Sequence, residues 1–133
     1  MQPQEHLKLY EASLARQRFD DVAPLLSAEA VFWFTDGSHR GIDAIRAAFE
    51  DTWRRLRNET YWLEDVDWIA LGDTAASCTY RFRWTAEIDG KASEGEGRGT
   101  TVLRKEGDAW KIVHEHLSRF PKSLPRNSTG PGI

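Results

Sequence analysis

Apolar and polar residues change rhythm along this chain near Asn58, dividing it into a helical part and a strand part. Before Asn58, Leu7, Tyr10 and Leu14 recur at helical spacing between Glu5 and Arg18. Arg16 and Arg18 are placed to complement the C-terminal end of that helix. A short helix is predicted around Asp21 to Leu26, where Pro24 is tolerable only near the first turn. Ala30 to Phe34 is a brief apolar strand, and Thr35-Asp36-Gly37-Ser38 is a turn by composition. Gly41-Ile42-Asp43 then opens the clearest helix. Ile42, Ile45, Phe49, Trp53 and Leu56 line one side of it, while Arg46, Glu50, Arg54 and Arg57 stay in water.

After Asn58 the pattern is that of strands. Gly72-Asp73, Asp89-Gly90 and Glu106-Gly107-Asp108 are hairpin signals that cut the remainder into runs at 60–71, 74–88, 91–105 and 109–120. These exceed the usual strand of about 5–6 residues. Long strands in a small domain must twist and curl, which predicts a concave sheet face. Residues 121–133, rich in Pro, Ser, Asn and Gly, read as a loose tail after one domain over 1–120.

The turns also predict which residues face the core. In the second run Ala76, Cys78, Tyr80, Phe82, Trp84, Ala86 and Ile88 alternate cleanly with polar residues, so they face inward. A two-residue Asp89-Gly90 turn then sets Trp84 opposite Gly95, Phe82 opposite Gly97 and Tyr80 opposite Gly99. Rings over bare backbone, or a bend in the sheet, follow from that pairing. Glu94, Glu96 and Arg98 point outward on this register. In the first run the turn sends Tyr61, Leu63, Asp65, Asp67 and Ile69 inward and leaves Trp62 and Trp68 outside, but hydrophobicity does not decide the matter. Outward tryptophans suit a subunit interface and inward aspartates suit pocket acids.

The last run carries the most chemistry. With period two, Trp110, Ile112, His114, His116 and Ser118 share one face, and the register carried through the turn at Gly107 points that face inward. A core that turns polar at one end predicts a pocket, with Gly97 and Gly99 as neighbours of the histidines. His116, assisted by Ser118, is then the candidate general base acting on a small carbonyl compound, since imidazole titrates near operating pH. The alternative is a pair of hydrogen-bonded histidines at the pocket mouth. Tyr10, Trp33, Trp53, Tyr80, Trp84 and His114 are candidate pocket lining. Two histidines on one strand face could share a metal ion, but only with a third ligand such as Asp65 or Asp67, and no ligand motif supports one. No metal site is assigned. Cys78, on the apolar face, reads as an inert core thiol, and Gly95, Gly97 and Gly99 lack the strand-to-helix setting of a phosphate loop.

Composition narrows the partners. The chain has 133 residues, with 18 basic against 21 acidic side chains and a net charge of -3, which gives no basic footprint for nucleic acid. No apolar run reaches membrane-spanning length, and Met1 to His6 lacks the layout of a signal peptide. A lone cysteine excludes an internal disulfide and fits a reducing compartment, so a cytoplasmic location is expected. Six tryptophans predict a bulky core or an aromatic-lined cavity.

Helices first, then a short strand, a helix and four antiparallel runs is a layout that resembles the nuclear transport factor 2-like superfamily. Gly99 to Ser118, with its Trp110-Lys111-Ile112 and His116-Leu117-Ser118, is similar to the SnoaL-like branch, as is Phe32-Trp33-Phe34 before Gly41-Ile42-Asp43-Ala44-Ile45. The resemblance covers roughly residues 5–120. It implies an α+β, cone-shaped fold: three N-terminal helices packed on a strongly curved antiparallel sheet with a four-strand C-terminal meander. It further implies a homodimer through the outer sheet face and a cavity for a small apolar ligand. Ketosteroid isomerases of this superfamily pair an aspartate base with a tyrosine and a protonated carboxylic acid as oxyanion donors. By that resemblance Tyr10 stands for the helix-borne tyrosine and Asp36 for the base, while the deep acid has no counterpart. The implied function is a cofactor-free isomerase, cyclase or dehydratase acting on, or a protein binding, an apolar carbonyl compound. The alternative is a non-catalytic ligand-binding or dimeric association module like that of calmodulin-dependent kinases.

Overall fold

A computed structural model describes residues 1–121. Its helices are α1 (Pro3–Ala15), α2 (Phe19–Val22) and α3 (Ile42–Arg55), with a 3-10 turn at Ala23–Leu25 that takes Pro24 in its first turn. Six strands follow one another as β1 (Leu26–Phe34), β2 (Gly37–Arg40), β3 (Arg57–Leu71), β4 (Ala75–Ile88), β5 (Lys91–Glu106) and β6 (Ala109–Arg119). The long runs lie where the hairpin signals set them. Strand β2 begins within the expected turn Thr35–Ser38 and runs past it to Arg40, where so short a stretch without apolar residues has no period-two signal. The tail expected at 121–133 lies, apart from Pro121, outside the described residues.

The strands form one sheet in the order β2-β1-β6-β5-β4-β3, antiparallel except where β1 runs parallel to β6. Helices α1 and α3 cover its concave side. Leu7, Tyr10 and Leu14 of α1 and Ile45 of α3 are buried against it. Phe49 of α3 gathers an aromatic group, with ring centres 5.8 Å from Phe19, 5.6 Å from Phe34 and 5.3 Å from Trp53. Its tilted and edge-on geometries are those that aromatic quadrupoles favour. His6 adds a polar tie, its Nε2 lying 3.0 Å from the Leu25 carbonyl, and burial lowers its pKa against that hydrogen bond.

Between β4 and β5 the predicted register holds at every position, with Tyr80 opposite Gly99, Phe82 opposite Gly97 and Trp84 opposite Gly95. Each ring lies over its glycine. A methyl group at Gly97 would collide with both the Phe82 ring and the Ser118 carbonyl, and one at Gly99 with the Tyr80 ring. Glycine is required here by close approach and not by an unusual φ.

Bulges overturn two of the predicted faces. In β3 an extra residue between Glu64 and Asp67, where Asp65 has φ 54°, reverses the alternation. Tyr61 and Leu63 face the core as expected, and Trp62 faces out opposite Arg83. Beyond the bulge Trp68 turns inward opposite Cys78, and Asp65 and Asp67 are exposed. In β6 the pairs Leu103–Ile112 and Val102–His114 leave Val113 as the extra residue. Trp110 and Ile112 point inward as predicted. Past Val113 the inward residues are Glu115 and Leu117, and His114, His116 and Ser118 face outward with Val102, Thr100 and Arg98. Gly97 and Gly99 accordingly lie beside Arg119 and Leu117, not beside the histidines.

Candidate functional site

The bulge at Val113 brings a carboxylate, not an imidazole, to the centre of the fold. Glu115 is 3% exposed. Tyr10, from the buried face of α1, donates its hydroxyl to Glu115 Oε2 at 3.3 Å, and Tyr80 from β4 donates to Oε1 at 3.4 Å. The Tyr80 oxygen also lies 2.8 Å from Thr101 Oγ1 of β5. Two phenols and a hydroxyl from three different elements converge on one carboxyl group.

Burial sets the electrostatics of this cluster. Loss of water pushes the Glu115 carboxyl up to about 7, against hydrogen bonds from Tyr10, Tyr80 and Thr101 that pull it down. The phenols of Tyr10 and Tyr80 are raised well above their ordinary value, first by burial and then by the Glu115 charge. Near neutral pH the tyrosines are therefore donors, and the carboxyl is shared between its acid and base forms. Such a group can take up or release a proton with little driving force in either direction. Cys78, below the same sheet face, is pushed up to about 12 by burial and stays a thiol.

A cleft of about 690 Å³ opens between the ends of α1 and α3 and the start of β3, lined by Gln17, Trp53, Leu56 and Asn58 among others. Gln17 Nε2 donates to Glu59 Oε1 at 2.9 Å. Burial raises the Glu59 carboxyl, while the Gln17 bond lowers it. On β3 beyond the cleft, burial raises the Tyr61 phenol, and the charges of Glu115 and Glu59 both add to the effect. Its ring stacks on Phe82 at 6.2 Å.

The residues singled out from sequence divide between the two sides of the sheet. Tyr10 and Tyr80 meet at Glu115; Trp53 lines the cleft, and Trp84 covers Gly95 on the inner face. Trp33, His114, His116 and Ser118 lie on the outer face. Trp33 is 45% exposed, with the rings of His114 and His116 edge-on to it at 5.0 and 5.4 Å. His114 Nδ1 bonds the Val31 carbonyl. Asp36 sits at the exposed β1–β2 turn with His39 Nε2 at 3.4 Å, apart from the Glu115 cluster. Glu115 was missed. Its signal was faint: a carboxylate between the apolar Val113 and Leu117, in a stripe that Lys111 and Arg119 make read as an outward face. Among the described residues no three His, Cys, Asp or Glu side chains gather as metal ligands, and no helix is long and apolar enough to cross a membrane.

Known structures share this architecture. A nuclear transport factor 2-like protein from Salmonella enterica superposes with a TM-score of 0.81 at 22% identity, covering 93% of this chain and 92% of that one. The association domain of C. elegans CaMKII gives 0.71 at 17% identity over 84% and 88% of the two chains. A ketosteroid isomerase-like protein from Erwinia carotovora gives 0.76 at 13% over 89% and 93%. At these identities the likeness shows the fold: α+β, nuclear transport factor 2-like, with a curved, mostly antiparallel six-stranded sheet. No curated protein matches the sequence significantly. The model of the SnoaL-like domain matches residues 5–123, nearly the whole chain, and the protein belongs to that family.

Proposed function

We propose that this SnoaL-like protein binds an apolar carbonyl compound in the cone between the helices and the concave sheet. Cofactor-free acid-base chemistry is performed there by Glu115 with Tyr10 and Tyr80. The observation that carries this reading is a fully buried carboxyl held near neutrality and bonded to two phenols. In its base form Glu115 accepts the proton from carbon while Tyr10 donates to the oxygen on which negative charge develops, and the acid so formed returns the proton. A tyrosine beside a neutral carboxylic acid is the donor set of ketosteroid isomerases, and Glu115 supplies the deep acid for which the sequence offered no counterpart. Tyr61 and the cleft at Trp53 mark the side from which a ligand reaches the cluster. On this reading the chemistry belongs to Glu115 and not to His116, Ser118 and Asp36, which lie outside the concave face.

The experiment is exchange of α-protons for deuterium in a panel of apolar ketones, followed by NMR. Wild-type protein is expected to exceed buffer for at least one ketone. Glu115→Gln is expected to abolish the excess, and Tyr10→Phe to cut it about tenfold or more. Exchange that survives Glu115→Gln sinks the assignment.

The reading also takes 1–120 as one domain, cytoplasmic and paired with a second copy through the outer sheet face. One observation favours a non-catalytic association role instead: Trp33 stands exposed on that face, and the similar CaMKII domain is named for association. Sedimentation of wild type and Trp33→Ala tests the pairing, with a shift toward monomer expected in the variant.

A further inference from the structure

We propose a binding site for a compact phosphate-type oxyanion on the outer face of the sheet, centred on Arg98 of β5. Arg98 and Arg81 stand directly opposite each other in the β4–β5 register. Like charges in that arrangement repel. Neighbouring Arg83 is neutralised by Glu64 at 3.3 Å and Glu96 at 3.5 Å, whereas among the described residues neither Arg81 nor Arg98 has a carboxylate within ion-pair distance. Both guanidinium groups are instead held over one ring, Phe120, at 4.9 and 6.0 Å from its centre. Ring faces attract cations but leave the N–H groups at the guanidinium edge unspent.

Beside this pair lies a depression of about 230 Å³ lined by Arg98, Thr79, Thr100, His116 and Ser118. The strand register makes these residues neighbours: Thr79 faces Thr100, Thr100 faces His116, and Arg98 faces Ser118. Three hydroxyls, an imidazole and a guanidinium surround one hollow, and no carboxylate lines it. A tetrahedral oxyanion offers acceptors in several directions at once and matches such a ring of donors; it also relieves the repulsion between Arg81 and Arg98. In a homodimer packed through this face, a twofold axis sets the same cations near one another, and a bound anion neutralises them as well. The site is independent of the chemistry proposed at Glu115, which lies on the other side of the sheet.

The test is calorimetric titration of the full chain with inorganic phosphate, and separately with a small phosphate monoester, at constant ionic strength. One saturable site per chain is expected, with affinity lowered about tenfold or more by Arg98→Gln. Arg46→Gln, whose guanidinium pairs with Asp20 at 3.0 Å, is expected to leave affinity unchanged. Tighter binding of the ester than of free phosphate identifies a phosphorylated small molecule as the ligand, and the reverse order identifies phosphate itself. Amide shifts in the wild type are expected to cluster at Thr79, Thr100 and Ser118, which locates the site without any variant. Failure to saturate, equal loss in both arginine variants, or shifts spread away from these strands overturns the proposal.

Discussion

The two faces of β6 beyond Val113 show how much surroundings outweigh residue type. His114, His116 and Ser118 have the side chains usually sought in an acid-base site, yet they face outward. Glu115, between them in sequence, is enclosed by Tyr10, Tyr80 and Thr101, and burial brings its carboxyl to about 7. A group that titrates far from its useful range in water reaches that range when water is removed and the right donors are kept. The buried face makes a proton-active group from an ordinary carboxylate, while the exposed face has the imidazoles without the enclosure.

Glu115→Gln is the strongest way to sharpen this contrast. Because the folded-state value of about 7 lies above the unfolded 4.5, the carboxyl favours the fold fully below pH 4.5, and that contribution fades as pH rises through 7. Urea melts are therefore expected to show Glu115→Gln close to wild type at pH 4 to 5 but stabilised by up to about 3 kcal/mol at pH 8, on the order of what the shift is worth. A wild type whose stability does not fall across that interval removes the basis for a shifted carboxyl.

The smallest effects compare one residue from each face. Tyr80→Phe leaves Thr101 without its short bond and is expected to cost about 1–2 kcal/mol. His116→Ala, on the exposed face, is expected to cost under about 0.5 kcal/mol. It should also leave α-proton exchange unchanged. Loss of exchange in His116→Ala with retention in Glu115→Gln reverses the comparison and returns the chemistry to the outer face.

The difference between the faces also explains what could be read in advance. The β4–β5 pairing was legible because Asp89-Gly90 fixes a two-residue turn and the apolar alternation of β4 is unbroken. Helix α3 was legible from Ile42, Ile45, Phe49 and Trp53 at helical spacing. The bulge at Val113 has no such marker: it contains neither glycine nor proline, and a β-branched residue there reads as ordinary strand. One unmarked residue then reversed every facing that followed, Glu115 included. In β3 the marker was faint, since aspartate at Asp65 tolerates the left-handed region without announcing it. The helical stripe of Leu7, Tyr10 and Leu14 turned Tyr10 inward, but its role as a donor came only from resemblance, because its partner lies at a separation of 105 residues and no local pattern reports so distant a contact.

The glycines beneath Trp84, Phe82 and Tyr80 have a kinetic consequence. Pairs run without a break from Ile88–Lys91 at the turn to Ala75–Arg104 at the far end, so β4 and β5 can zip from Asp89-Gly90 by successive short loop closures. Each ring that settles onto its bare neighbour fixes one more rung before any distant segment has arrived. A hairpin of this kind is a natural early folding unit, onto which β6 and then α1 add the more costly long-range contacts. Substitutions at Gly97 or Gly99 should then slow refolding, whereas changes to Tyr10 on the late-docking helix should chiefly hasten unfolding.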